Sequence, residues 1–219
     1  ESVAESLCAM GSIYARLGNH DDATLHFKDC LLVRTKCFGR DDERVGKVLM
    51  NMGNVYDKSE DLNAARDCYL EALRINKMNA NDWETVVCLK ELGKILTREK
   101  DQNGALEHNL EALQLTKKLL VPGDPQVADL LYTCAATMYE RHEYSRALEF
   151  FEDSLRIRRV KLGPTCVEIG ETLLMIGQTM ARSDHYDEAL VFLKDSRSVL
   201  SEAKGNESLD VGNCNHSIG

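Results

Sequence analysis

The stretch VGKVLMNMGNVYDKSEDLNAARDCYLEAL, residues 45–73, decides the fold. Its first half places Leu49, Met52, Gly53 and Tyr56 three and four residues apart, which puts them on one face of a helix. Its second half repeats the spacing with Ala65, Tyr69 and Leu73, after a polar turn at Asp57-Lys58-Ser59-Glu60-Asp61. The segment therefore reads as a helix–turn–helix hairpin. Gly53 and Ala65 are small enough to let its two helices approach closely.

The hairpin recurs. Gly11, Gly53, Gly93, Ala135 and Gly177 stand 42, 40, 42 and 42 residues apart. With each taken as offset zero, offset +12 holds Ala23, Ala65, Ala105, Ala147 and Ala189, and offset −4 holds Leu7, Leu49, Leu89, Leu131 and Leu173. Offset +3 carries Tyr14, Tyr56, Leu96, Met138 and Met180, and offset +16 carries Phe27, Tyr69, Asn109, Phe151 and Leu193. Self-similarity at this period marks a stacked-repeat architecture, since one hairpin cannot bury its apolar face alone. The pattern predicts five hairpins, at about residues 3–40, 45–82, 85–122, 127–164 and 169–204, giving ten helices and no sheet within one all-α solenoid over 1–205. Residues 206–219 are polar and contain glycine, and are expected to form a mobile tail. Tyr186, Leu190, Leu193 and Leu200 of the last helix would then lack a cover, so self-association through uncapped ends is expected.

The leucine, glycine, tyrosine, alanine and aromatic at these offsets resemble the tetratricopeptide repeat. The repeats open alike at Val3-Ala4, Val45-Gly46, Val127-Ala128 and Ile169-Gly170, and their links carry Phe38-Gly39-Arg40, Pro122-Gly123-Asp124-Pro125 and Leu162-Gly163-Pro164. These longer units are similar to those of kinesin light chains, over residues 3 to about 203. The resemblance implies an α-α superhelix whose first helices line a concave surface that holds a peptide. Leu96 and Asn109 depart from the family's aromatics, no tryptophan fills the first family position, and the proline that usually follows the second helix is missing.

On that inferred surface, offsets −6, −3, +1, +4 and +5 gather Lys47, Met50, Asn54, Asp57 and Lys58 in repeat two and Val87, Lys90, Lys94, Thr97 and Arg98 in repeat three. Repeat four adds Asp129, Tyr132, Ala136, Tyr139 and Glu140, and repeat one adds Glu5, Cys8, Ser12, Ala15 and Arg16. Repeat five brings Glu171, Leu174, Gln178, Ala181 and Arg182. The candidate groove is Lys47, Met50, Asn51, Asn54, Lys58, Lys90, Lys94, Arg98 and Tyr132. Asn51 and Asn54 match positions where kinesin-light-chain-like repeats hold a peptide main chain, a role that suits a carboxamide because it donates and accepts. Cations clustered on one face point to an acidic, partly apolar segment of a protein partner. The alternatives are a structural piece of a larger repeat assembly and a regulatory domain of an enzyme outside this sequence.

Composition narrows the field. The chain has 219 residues with 27 basic against 36 acidic ones, a net charge of −9, which argues against a nucleic-acid partner. No apolar run approaches the roughly 20 residues needed to cross a bilayer, so membrane insertion is not expected. The opening Glu1-Ser2-Val3 shows neither a signal peptide nor an initiator methionine, and a fragment or processed piece is expected. Eight cysteines are scattered without a C-x-x-C pair, which reads as reduced core thiols of a cytoplasmic protein. His20, His142 and His185 fall in turns, His26 and His108 share offset +15, and all read as solvated surface residues. The segment from Asp57 has Leu62 where a calcium loop needs glycine and Cys68 where it needs glutamate. The basic run Arg156-Ile157-Arg158-Arg159-Val160-Lys161 reads as a solvated helix end. With no convergent titratable cluster, phosphate loop or nucleophile elbow, neither catalysis nor a cofactor or metal is expected.

Overall fold

A computed structural model describes residues 2–205 and 208–218. Eleven helices and no strand occur among the described residues. They are α1 Ser2–Arg16, α2 His20–Phe38, α3 Glu43–Lys58, α4 Leu62–Met78, α5 Asp82–Arg98 and α6 Gln102–Leu119, followed by α7 Pro125–Glu140, α8 Tyr144–Lys161, α9 Val167–Arg182, α10 Tyr186–Lys204 and α11 Leu209–Ile218. The chain forms two compact units, Glu1–Leu115 and Thr116–Gly219. Within them, α1 pairs with α2, α3 with α4, α7 with α8 and α9 with α10.

The close approach sits where the sequence puts its small residues. A methyl group on Gly11 would meet the Phe27 ring at 2.9 Å, and one on Gly53 would meet the Tyr69 ring at 2.9 Å. On Gly177 it would lie 2.7 Å from Leu193. In these repeats the second helix thus lays its offset +16 side chain directly across the backbone of the first. The alanines at +12 are all buried beside it. A second close approach joins offsets −7 and +19: Ser154 Oγ donates to the Ala128 carbonyl at 2.7 Å, Ser196 Oγ to that of Gly170 at 2.7 Å, and the Cys30 thiol to that of Ala4 at 3.2 Å. In the fourth repeat Met138 is buried, which sets it at offset +3.

Turn chemistry follows the same period. Seven residues after each anchor the backbone is left-handed, at Gly18, Glu60, Lys100, His142 and Asp184. The next position caps the second helix in the first three repeats: Asn19, Asp61 and Asp101 accept from the backbone N–H of Asp22, Ala64 and Gly104. Between repeats the left-handed residue is Gly39, Gly123, Gly163 or Gly205, but after α4 it is Ala80, with φ 53.

The C-terminus departs from expectation. Residues 206 and 207 lie outside the described residues, but Leu209–Ile218 form α11 where a mobile tail was expected. Val211 and Cys214 are buried against Leu174, Leu193 and Leu200, so the face expected to be uncapped is largely covered, although Tyr186 stays exposed. The reason is visible in the sequence. Val211-Gly212 repeats the openings Val45-Gly46 and Ile169-Gly170, and Gly219 follows Gly177 by 42 residues. α11 is the first helix of a sixth unit in register. Arg158 also departs from expectation: it is 5% exposed rather than solvated. Its guanidinium bonds the Glu168 carbonyl at 2.9 Å, Thr172 at 2.7 Å and Asp129 at 2.8 Å. His26 stacks on Tyr14, with ring centroids 5.3 Å apart, instead of standing in solvent.

Two stability outcomes follow from these contacts. Replacing Gly53 with Ala should destabilise the chain by about 1–2 kcal/mol, the overpacking cost less the gain in helix propensity. Replacing exposed Ala80 with Gly should stabilise it by about 0.5–1 kcal/mol, because relief of the left-handed strain exceeds the extra entropy lost by glycine. Urea denaturation of both variants checks these signs.

Candidate functional site

In the first unit, α1, α3 and α5 lie side by side. Asn51 on α3 points its Nδ2 at Cys8 Sγ of α1, 3.8 Å away, and Arg98 on α5 forms an ion pair with Asp57 on α3. Asn51 and Arg98 thus each meet a side chain of a neighbouring first helix. Between α1 and α3 lies an open pocket of about 170 Å³. Buried Phe27 and Val55 supply its apolar floor. Ser12, Ala15 and Arg16 line it from α1, and Asn51, Asn54 and Lys58 from α3.

Asn54 is held in one orientation. The Tyr69 hydroxyl donates to its Oδ1 at 2.7 Å. Burial raises the Tyr69 phenol well above the ordinary tyrosine range, so this donor stays protonated. With Oδ1 engaged, exposed Asn54 keeps its NH₂ free to donate. The ring that packs on Gly53 thus also orients the residue next to it. Reading offset +16 as packing alone concealed this second role.

The charge on this face is less uniform than the sequence suggests. Lys94 is paired with Glu91 at 2.7 Å, and Arg98 with Asp57. Both acids stand within reach on the same surface, so the ridge of Lys90, Lys94 and Arg98 is partly neutralised. Arg16, Lys47, Lys58 and Lys90 have no ion-pair partner among the described residues. Met50 is half-buried, and its sulfur accepts from the Asn76 amide at 3.6 Å.

Tyr132 belongs to the second unit and the other candidates to the first. It is half-buried there, edge-on to Phe151 at 5.4 Å, with the Arg158 guanidinium 4.9 Å from its ring centroid. Burial raises its phenol pKa. Its ring lies against a buried arginine, a contact that its offset did not disclose.

Stacked helix pairs with a small residue at each crossing define a helical-repeat protein, and comparison with known proteins specifies which. The family model of the tetratricopeptide repeat matches residues 2–78 and 85–159. The chain belongs to the tetratricopeptide repeat family, whose arrays are scaffolds for protein–protein contacts. No curated protein sequence matches it. Among solved structures, BtubC (BKLC) from P. vanneervenii is similar at TM-score 0.79 and 16% identity, over 94% of this chain and 83% of that one. The kinesin light chain nearly identical TPR-like repeats of Podosopora anserina give 0.76 and 12%, over 91% and 96%. YrrB, described as a TPR protein with an unusual peptide-binding site, gives 0.70 and 15%, over 96% and 89%. At these identities the likeness is one of fold. No helix among the described residues is long and apolar enough to cross a membrane.

Replacing Tyr69 with Phe should cost about 1 kcal/mol of stability, the usual scale for a lost hydrogen bond. It should also release the Asn54 amide. Denaturant titration reads the first effect, and broadening of the Asn54 side-chain NH₂ signals by NMR reads the second.

Proposed function

We propose that this chain is an adaptor that holds an acidic, partly apolar segment of a partner protein along α1, α3 and α5. The observation that carries the reading is Asn54. Its carbonyl oxygen is occupied by Tyr69, and its amide is left to donate beside a cavity with an apolar floor. An extended peptide could place a backbone carbonyl on Asn54 and an apolar side chain over Phe27 and Val55. Its carboxylates would meet Arg16, Lys58, Lys47 and Lys90, the cations not already neutralised. Lys94 and Arg98 would contribute less, since each must exchange an existing partner. Eight free cysteines, most of them at least partly buried, fit a reducing compartment such as the cytoplasm.

The test is a fluorescence titration of labelled acidic and basic peptides, each with one leucine or aromatic anchor. Acidic peptides should bind in the micromolar range and weaken as salt rises. Charge reversal at Lys58 and Lys90 together should remove binding while leaving helicity intact, because neither side chain is fully buried. Asn54→Ala should weaken binding by about 1 kcal/mol. Equal binding of basic peptides, or indifference to the double reversal, would refute the reading.

A further inference from the structure

One open pocket recurs in the second unit. It lies between α6 and α8 over α7, with a volume of about 330 Å³, and again between α8 and α10 over α9, with about 450 Å³. The same offsets line both. Buried Val127 and Leu131, at −8 and −4, floor the first, and buried Ile169 and Leu173 floor the second. Half-buried Ile157 and Val199, at +22, supply the wall. One rim carries an exposed cation, Lys117 or Arg159, and the other an exposed aspartate at +18, Asp153 or Asp195. Offsets −8 and −4 lie on another side of the first helix from the groove offsets −6, −3 and +1.

The first unit shows the same place closed. Counted from the preceding anchor, Lys77, Lys117 and Arg159 all stand at +24. Lys77 pairs with Glu111, the +18 residue of the third repeat, at 2.6 Å. In the second repeat Glu71 at +18 holds Arg74, which reaches Asp41 of the preceding link at 2.6 Å. In the second unit the +18 residue is aspartate, one methylene shorter. No ion pair joins Lys117 to Asp153 or Arg159 to Asp195 among the described residues, and Asp153 pairs instead with Arg156 of its own helix at 2.8 Å. The rims stay unbridged, and the pocket above each apolar floor stays open.

This lining selects its occupant. An opening that one Lys–Glu pair closes takes a single side chain rather than a helix, whose axis stands about 8–10 Å from each neighbour. A branched aliphatic side chain matches the valine, leucine and isoleucine around it. Unpaired charges of opposite sign on the two rims match a main chain, whose carbonyl accepts from the cation and whose N–H donates to the carboxylate. The pockets are separated by α8, and a helix is about 10–12 Å across. Residues i and i+4 of an extended chain share a face and lie about 13 Å apart.

We propose that the pockets flanking α8 take two branched aliphatic side chains, at i and i+4, of an extended segment of a partner protein, whose main chain is held by Lys117, Arg159 and Asp195. A second copy of this chain is a poor source for that segment. Its longest links among the described residues, 120–124 and 162–166, are each turned by a left-handed glycine, Gly123 or Gly163.

The probe is an uncharged serine- and threonine-rich peptide with two leucines four residues apart, titrated into the isotope-labelled full chain and followed by NMR. Saturable shifts of the Ile157 and Val199 amide signals are expected, with submillimolar affinity. Moving the second leucine to i+3, which turns it to the opposite face, should weaken binding at least fivefold. Val199→Lys should do the same. So should Asp153→Glu with Asp195→Glu, which keeps the charge and restores the longer carboxylate of the closed pockets. Both aspartates are exposed, so this double variant decides the matter if Val199→Lys melts early by circular dichroism. Lys58→Glu should change nothing, which separates these pockets from the groove. Absence of saturable shifts, or binding indifferent to leucine spacing and to the aspartate variant, would overturn the proposal. So would a wild-type dimer that the aspartate variant converts to monomer in sedimentation, because the occupant would then be a second copy.

Discussion

The spacing between the two helices of each hairpin is set by a side chain that is absent. With only hydrogen on Gly11, Gly53 and Gly177, Phe27, Tyr69 and Leu193 can lie flat against the backbone opposite. That contact fixes how far the second helix stands from the first. It therefore fixes which residues of the second helix remain to meet the following unit. Variation at this crossing is instructive. Ala135 carries a methyl and still accommodates Phe151, whose ring also meets Tyr132 edge-on. In the third unit the partner is Asn109, whose buried Nδ2 has no hydrogen-bond partner among the described residues. A polar side chain in the ring position costs desolvation that an aromatic would avoid.

Contacts between successive hairpins use a different chemistry from contacts within one. Offset +23 is Arg34 in the first unit and Arg158 in the fourth, and both reach across to a carbonyl ten residues later. Arg158 is nearly buried, and its three partners compensate most of the desolvation that an unpaired guanidinium would suffer. In the second unit the same offset is Asn76, directed at the sulfurs of Met50 and Cys88, and in the fifth it is Leu200, under α11. One position thus tunes each junction separately while the helix pairing inside every hairpin stays constant.

The hairpin architecture was legible because it depends on residue size at fixed intervals, and small residues inside helical patterns are conspicuous. The sixth unit was equally legible in principle. Val211-Gly212 and Gly219 are in register, but Asn215 occupies the usual leucine offset, so the segment reads as polar tail. Arg158 was missed because a basic run on a helix end looks like solvent-facing charge. Its burial depends on Asp129 and Thr172, 29 and 14 residues away. The convergence of Asn51, Asn54 and Lys58 on one pocket was readable from their offsets. The charge balance was not. Glu91 neutralises Lys94 from three residues away along the helix, and Asp57 reaches Arg98 from the neighbouring one. The place of Arg158 over the Tyr132 ring was unreadable for the same reason, since it depends on a long side chain from the next helix.

The half-unit at the C-terminus has a bearing on how the molecule comes apart. α11 spans ten residues, too few for a helix to persist alone in water. Its order is lent by α10 and α9 through Val211 and Cys214 on one side. A methyl group on Gly212 would meet nothing within 4 Å, whereas one on Gly46 or Gly170 would meet the paired second helix. In a linear array, where each element is stabilised by its neighbours, an element held on one side opens more readily than one held on two. In a polypeptide of residues 1–219, amide protection should therefore rise from α11 through α10 to α9.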